Sequence, residues 1–451
     1  MLGKLKSLED KLSPGLQKII LNIGWLFTER ILYMVVSLLV GIYVVRYLGP
    51  EDFGKLSYSY SFFYLFVAIA KLGLNDIVVR DIVQQEKFTP KILGTAFVLK
   101  LFSSVISIIL IASSIWLLNE DNQIRWMTII IALGLIFDGF EVISFWFQSQ
   151  VLSRPIATVQ SVQIFLTAGA RILFVFLKLP LISFAWVFFA EFLLKGLGSI
   201  WVYLRHRQSF KQWEFRWLTA VELLQDSIPM LLSAVMISIY MKIDQVMLQN
   251  LVGSREVGIY AAAVRFSEIW YFVPMAICAS VFPSVLKAKA RSRREYDLKT
   301  QQLYDVMAWI SIAISLVMTI ASQPLVDILL GKEYAEAGII LALHIWSGPF
   351  VFLSVARGRW LIAEKLTRFE FMATSLGVVA NICLNFYLIP LYGGKGAAIA
   401  TLISYAFACY LAGAFFPPLF KNTWMLTKAL FIPFRIKQNL LYFKRIRQVF
   451  S

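Results

Sequence analysis

Residues 92–118 read ILGTAFVLKLFSSVISIILIASSIWLL, twenty-seven positions in which Lys100 is the single charge. At about 1.5 Å of rise per residue such a run makes a helix of roughly 40 Å, more than the ~30 Å hydrocarbon thickness of a bilayer. It has no polar face to turn toward water, and it is too long for a strand. Working outward, similar apolar blocks recur near 19–45, 54–75, 126–148, 156–177, 182–204, 226–250, 258–286, 303–329, 337–362, 369–390 and 396–417. The expected fold is therefore an all-α membrane protein of about twelve transmembrane helices.

The composition agrees. The 451 residues are 59% hydrophobic and only 16% charged, with a mean hydropathy of +0.72, too apolar to cover a water-facing surface. The net charge is +16. In a soluble chain that would suggest nucleic acid, but here the basic residues collect in alternate loops. With the N-terminus inside, the inner segments hold roughly 27 Lys and Arg, the outer ones roughly 7, and roughly 9 fall within spans. This bias predicts an inner-membrane protein with both termini cytoplasmic and no nucleic-acid partner. The basic stretch before the first apolar block is read as the flank of a retained helix, since that block is too long for a signal-peptide core.

Several chemistries lack their parts. None of Gly3-Lys4, Gly54-Lys55, Gly331-Lys332 and Gly394-Lys395 continues with Ser or Thr, as a P-loop needs. With two histidines, His206 and His344, and three cysteines that fall within predicted spans (Cys278, Cys383, Cys409), no metal-ligand spacing or nucleophilic triad can be assembled. No cofactor and no enzymatic activity are expected. His206 reads as a loop residue and His344 as a packed helix residue.

The broad polar interruption from Arg205 to Glu222 divides the spans six and six. This suggests an N-terminal lobe over 1–215, a C-terminal lobe over 216–420 and a basic amphipathic tail over 421–451, with the lobes pseudo-symmetric around a central cavity. A weak internal repeat supports the division. Tyr47-Leu48-Gly49-Pro50-Glu51-Asp52-Phe53-Gly54 follows the first span and Leu251-Val252-Gly253-Ser254-Arg255-Glu256-Val257-Gly258 follows the seventh. Pro229, Pro274, Pro324 and Pro349 mark later helices as candidates for bending. The tail interleaves Arg435, Lys437, Lys444, Arg445 and Arg447 with Phe, Leu and Tyr, as a helix lying on the anionic inner leaflet would.

A charge at the bilayer centre costs roughly 2.5 to 3.5 kcal/mol on insertion scales, so intramembrane charges are the natural site candidates. Lys71, Lys100, Arg357 and Arg359 lie near inner ends, where they can snorkel. Glu191 with Lys195, and Arg265 with Glu268, are spaced to neutralise each other on one helical face. Arg30 sits deep in the first span beside Glu29, which points elsewhere. Arg171, and Lys242 with Asp244, are similarly deep. Arg30, Arg171, Lys242 and Arg265 together would suit a phosphate-bearing substrate, because guanidinium forks grip phosphate oxygens. Asp138 and Glu141, three apart in the fourth span, either carry a proton or sodium ion or pair across the bundle with Arg30, Arg171 or Lys195. With Asp244 and Glu268 they form the set expected to serve ion coupling or charge balance.

Three stretches carry a family resemblance: Tyr240-Met241-Lys242-Ile243-Asp244-Gln245-Val246-Met247-Leu248, Val257-Gly258-Ile259-Tyr260-Ala261-Ala262-Ala263-Val264-Arg265, and Trp270-Tyr271-Phe272-Val273-Pro274. With Arg46 to Gly54, Leu72 to Arg80, Leu329 to Tyr334 and Pro390 to Gly393, the sequence resembles the bacterial polysaccharide or O-antigen flippases of the multidrug/oligosaccharidyl-lipid/polysaccharide exporter superfamily. The resemblance implies two six-helix lobes that move an undecaprenyl-diphosphate-linked oligosaccharide to the outer leaflet, driven by an H+ or Na+ gradient. It also implies a diphosphate contact for an arginine in the first span and another in the eighth, here Arg30 and Arg265. Polysaccharide polymerase and chain-length proteins are the candidate protein partners. Two other readings stand beside this one: a cation-coupled drug or metabolite exporter of the same superfamily, which should favour an acidic cavity, and a membrane glycosyltransferase or polymerase partner, which should show a catalytic acidic motif or a large outer loop.

Overall fold

The computed structural model describes residues 14–118, 121–436 and 438–439, and among these no strand occurs. The chain runs through α1 (Pro14–Lys71), the short α2 (Asn75–Gln84), α3 (Thr89–Leu118), α4 (Asn122–Ser149), α5 (Ser153–Phe176), α6 (Ile182–Arg205) and α7 (Trp217–Leu251). It continues through α8 (Ser254–Arg291), α9 (Arg293–Leu329), α10 (Lys332–Ala363), α11 (Thr367–Cys409) and the short α12 (Phe420–Leu430). Ten helical segments among the described residues are long and apolar enough to cross a membrane. Two of them are broken by a glycine in a non-helical conformation, Gly49 (φ 69°, ψ 174°) in α1 and Gly393 (φ 56°, ψ −134°) in α11. The all-α, multi-pass architecture thus stands, and splitting these two helices at their glycines gives twelve helical spans among the described residues, in line with the number expected.

The side-chain pattern is that of a helix whose solvent is lipid. In α3, Ser103, Ser104 and Ser107 are buried while Phe102, Ile109 and Leu117 are exposed. Small polar residues let helices approach closely and apolar side chains meet the acyl chains. α2 was not expected. It follows two residues of positive φ, Leu72 and Gly73, and packs Ile77, Val78 and Ile82 on Ile92, Leu93, Val142 and Phe145.

Two compact units are present. Among the described residues, one comprises 14–48 together with 55–238, and the other comprises 49–54 together with the chain from 239 to 439. The internal repeat explains why so short a turn belongs to the second unit. Gly49 and Gly253 (φ 112°, ψ 175°) occupy equivalent strained turns. Five residues on, a Cβ added to Gly54 would stand 1.8 Å from the Ser254 carbonyl oxygen, and one added to Gly258 would stand 1.9 Å from the Pro50 carbonyl oxygen. Each copy of the motif reserves a hydrogen-only position for the backbone of the other, so the weak similarity is a packing repeat.

Pro274 and Pro349 each follow a 3₁₀ turn, at Ile269–Tyr271 and Ile345–Ser347. There the proline cannot donate the i−4 hydrogen bond and the helix tightens instead. α12 and the described residues after it dock on α9. The Lys421 ammonium lies 2.5 Å from Asp297, and the Arg435 guanidinium 3.0 Å from the buried Asp305. Lys437, Lys444, Arg445 and Arg447 lie outside the described residues.

Candidate functional site

In the first unit the buried charges converge on α4. Between Gly134 and Glu141 that helix tightens into a short α turn and a 3₁₀ turn, presenting Asp138 and Glu141 together. The Lys100 ammonium of α3 lies 3.1 Å from Asp138 Oδ2 and 2.6 Å from Glu141 Oε2. Lys195 of α6 lies 3.0 Å from Glu141 Oε1 and 3.7 Å from Asp138 Oδ1, and Lys71 closes the group at 3.7 Å from Glu141. Three ammonium groups thus surround two carboxylates. Of the two alternatives left open for this pair, pairing across the bundle is the observed arrangement, with Lys195 as foreseen and Lys100 in addition.

Snorkelling fails for two residues. Lys100 is fully buried. Arg357 is also buried, its guanidinium donating to the carbonyls of Ala408 and Cys409 at 2.9 and 2.6 Å and to Glu370 at 3.1 Å. It closes the end of α11, whose last carbonyls have no helical partner. The expected Glu191–Lys195 pairing is also replaced: Arg171 of α5 reaches Glu191 of α6 at 2.5 Å. Arg171 is therefore neutralised. Arg30, by contrast, is exposed on α1 and makes no ion pair or hydrogen bond with the described residues.

In the second unit Asp244 of α7 is buried and, among the described residues, is met by neutral donors. Its Oδ2 accepts from Tyr260 Oη at 2.7 Å and Thr401 Oγ1 at 2.5 Å, and its Oδ1 accepts from Asn385 Nδ2 at 2.6 Å. Asn385 Nδ2 is shared with Asn381 Oδ1 at 3.0 Å, whereas Asn385 Oδ1 is buried with no hydrogen-bond partner. A carboxylate, an orphaned amide oxygen and two hydroxyls are oxygen ligands suited to a hard monovalent cation, and the carboxylate alone could carry a proton. Lys242 lies 3.9 Å from Glu268, with both side chains about a quarter exposed. His344 is packed, as expected, with Nδ1 2.9 Å from Ser267 Oγ.

Asn381, Asn385, Thr401 and Tyr260 carry no formal charge, so the cost of intramembrane charge does not single them out in the sequence. The available signal was two asparagines four apart, on one face of an apolar span.

The family described as Polysaccharide biosynthesis protein matches residues 19–289, and the one described as MatE matches 229–387. The capsular polysaccharide biosynthesis protein CapF of Staphylococcus aureus is 21% identical over 397 residues, 85% of this chain and 95% of that protein. The probable flippase AglR of Haloferax volcanii is 30% identical over 194 residues, 38% of this chain and 37% of that protein. Among solved structures, the lipid II flippase MurJ in an inward closed conformation superposes with a TM-score of 0.70 at 16% identity, covering 93% of each chain. An inward-facing multidrug resistance MATE family transporter of the MOP superfamily superposes with 0.67 at 14% identity, covering 88% of this chain and 96% of that one.

Proposed function

Since the chain belongs to the polysaccharide biosynthesis protein family, the polysaccharide flippases of the MOP superfamily, we propose that it translocates an undecaprenyl-diphosphate-linked oligosaccharide from the inner to the outer leaflet for surface polysaccharide assembly, coupled to a cation gradient. Translocation makes and breaks no covalent bond, so charge and wet space do the work. The family match and the relative spanning most of the chain support the substrate class. The positive-inside bias supports an inner-membrane protein with cytoplasmic termini. A polymerase and chain-length proteins are the partners this reading would bring.

The observation that carries the coupling part is Asp244, a buried carboxylate that accepts from three neutral side chains and, among the described residues, faces no cation. Leaving such a charge bare is costly unless a proton or metal cation takes part in it. Asp244, Asn385, Thr401 and Tyr260 are the residues we assign to the coupling ion. Asp138, Glu141 and Glu268 then serve charge balance, because each already faces a lysine. For the diphosphate, Arg30 is the first unit's cation of choice, and Lys242 and Arg265 are those of the second. Arg171 is the weaker member of the set because Glu191 satisfies it.

Mass spectrometry of lipid-linked glycans and surface polymer in the host tests this directly. Deleting the gene should abolish one surface polysaccharide and accumulate its undecaprenyl-linked unit, with restoration by the wild type and not by Arg30→Gln. Unchanged lipids and polymer would move a cation-coupled drug exporter ahead.

A further inference from the structure

On the first unit a groove of about 610 Å³ runs between α5 and α6, within the roughly 300–1,000 Å³ typical of small-molecule sites. Its walls are Val162, Leu166, Leu194, Leu197 and Trp201, and its mouth carries Arg154, Arg205 and His206. At the floor the helices touch: a Cβ on Gly198 would stand 2.5 Å from Val159 Cγ1. Val162, Leu166 and Leu197 are each about half exposed, so the groove opens sideways along its length rather than into the interior of the unit.

Among the described residues no carboxylate lines the groove, and none pairs with Arg154 or Arg205 at its mouth. The Arg154 guanidinium rests 5.1 Å from the Trp25 ring centroid and that of Arg205 rests 5.2 Å from Trp201. Aromatic faces orient a guanidinium without neutralising it, which leaves its fork of donors available. Tryptophans beside arginines at the end of an apolar groove reproduce the depth profile of a lipid, with phosphate at the headgroup level and acyl chains below.

We propose that this groove binds one anionic phospholipid of the leaflet facing the basic loops, with its phosphate held by Arg154 and Arg205 and an acyl chain laid along Val162, Leu166, Leu194 and Leu197. A bilayer lipid can enter sideways without leaving its leaflet, and the two arginines select negative headgroups. The inference goes beyond the transport reading and does not depend on the cargo.

Native mass spectrometry of the purified full-length protein, titrated with phosphatidylglycerol and with phosphatidylethanolamine of the same acyl chains, tests it. The wild type should retain phosphatidylglycerol preferentially, with a loss of roughly fivefold in preference per arginine removed. Arg154→Gln with Arg205→Gln should therefore bind both lipids alike, while Val162→Trp, which fills the groove, should lower occupancy by both. Arg205→Gln alone reads the same preference if the double variant does not fold. A wild type that does not distinguish the two lipids, or a double variant that still does, would overturn the proposal. So would displacement of phosphatidylglycerol by equimolar undecaprenyl phosphate, which would assign the groove to the carrier lipid.

Discussion

Asn385 reaches from α11 to donate its Nδ2 to Asp244 Oδ1 of α7 at 2.6 Å, while its own Oδ1 stays buried without a hydrogen-bond partner. A side-chain amide that satisfies a carboxylate and then leaves an acceptor bare is half of a ligand set. Asp244→Asn keeps the shape and removes the charge. The protein should fold and reach the membrane, and transport should lose its dependence on the imposed proton or sodium gradient. Transport by the variant that still follows the gradient would detach Asp244 from coupling.

Thr401 contributes a neutral hydroxyl to the same carboxylate, 2.5 Å from Asp244 Oδ2. Thr401→Val preserves volume and removes that oxygen. By analogy with shell residues of metal sites, the cation concentration giving half-maximal transport should rise roughly 10- to 100-fold, while expression is retained. The check is a transport titration against sodium and against pH.

Lys100 is a structural charge. Removing it leaves Asp138 and Glu141 with the more distant Lys195 and Lys71, and breaking a buried pair costs about 3–5 kcal/mol. Lys100→Met should lower the unfolding temperature in detergent strongly, and adding Asp138→Asn should recover part of the loss. An unchanged unfolding temperature for the single variant would contradict this assignment.

Gly54 and Gly258 have no room for a side chain, since each would thrust a Cβ within 2 Å of a backbone oxygen. Overpacking of this kind costs about 1–3 kcal/mol where neighbours can give, and here the neighbour is backbone. Gly258→Ala and Gly54→Ala should each reduce folded yield by size-exclusion chromatography, whereas Gly24→Ala, with nothing among the described residues within 4 Å, should not.

Glu364, in the turn between α10 and α11, supplies a pH dependence. Burial pushes its carboxyl up, but hydrogen bonds and ion pairs from Lys289 and Arg293, each at 3.0 Å, outweigh this and hold it below the usual carboxylate range. A depressed carboxylate stabilises the fold above its unfolded pKa of about 4.3 and loses that contribution as pH falls through its folded value. Thermal stability should therefore drop below roughly pH 4, and Glu364→Gln should flatten that drop while lowering stability at pH 7.

How far these features could be read from sequence follows from what periodicity encodes. The run around Lys100 showed a membrane helix, and the repeat at Gly49 and Gly253 marked equivalent turns, because both depend on local residue order. Partner choice does not. The distance of Lys100 from the span end allows it to snorkel, so sequence alone points it to the interface. Only tertiary packing shows α4 tightening after Gly134 to bring Asp138 and Glu141 onto it. In the same way Glu191 had a lysine one turn away on its own helix, yet the arginine of the neighbouring helix won it. The neutral ligands around Asp244 carry no charge to draw notice, and they come from three separate spans.

The most direct test places the purified protein in proteoliposomes with a fluorescent undecaprenyl-diphosphate oligosaccharide in one leaflet, and follows its arrival in the other by access to a membrane-impermeant glycan-oxidising reagent. The account predicts protein-dependent translocation that quickens with a cation gradient in the wild type and not in Asp244→Asn. Translocation no faster than in protein-free vesicles, with and without the gradient, would contradict it.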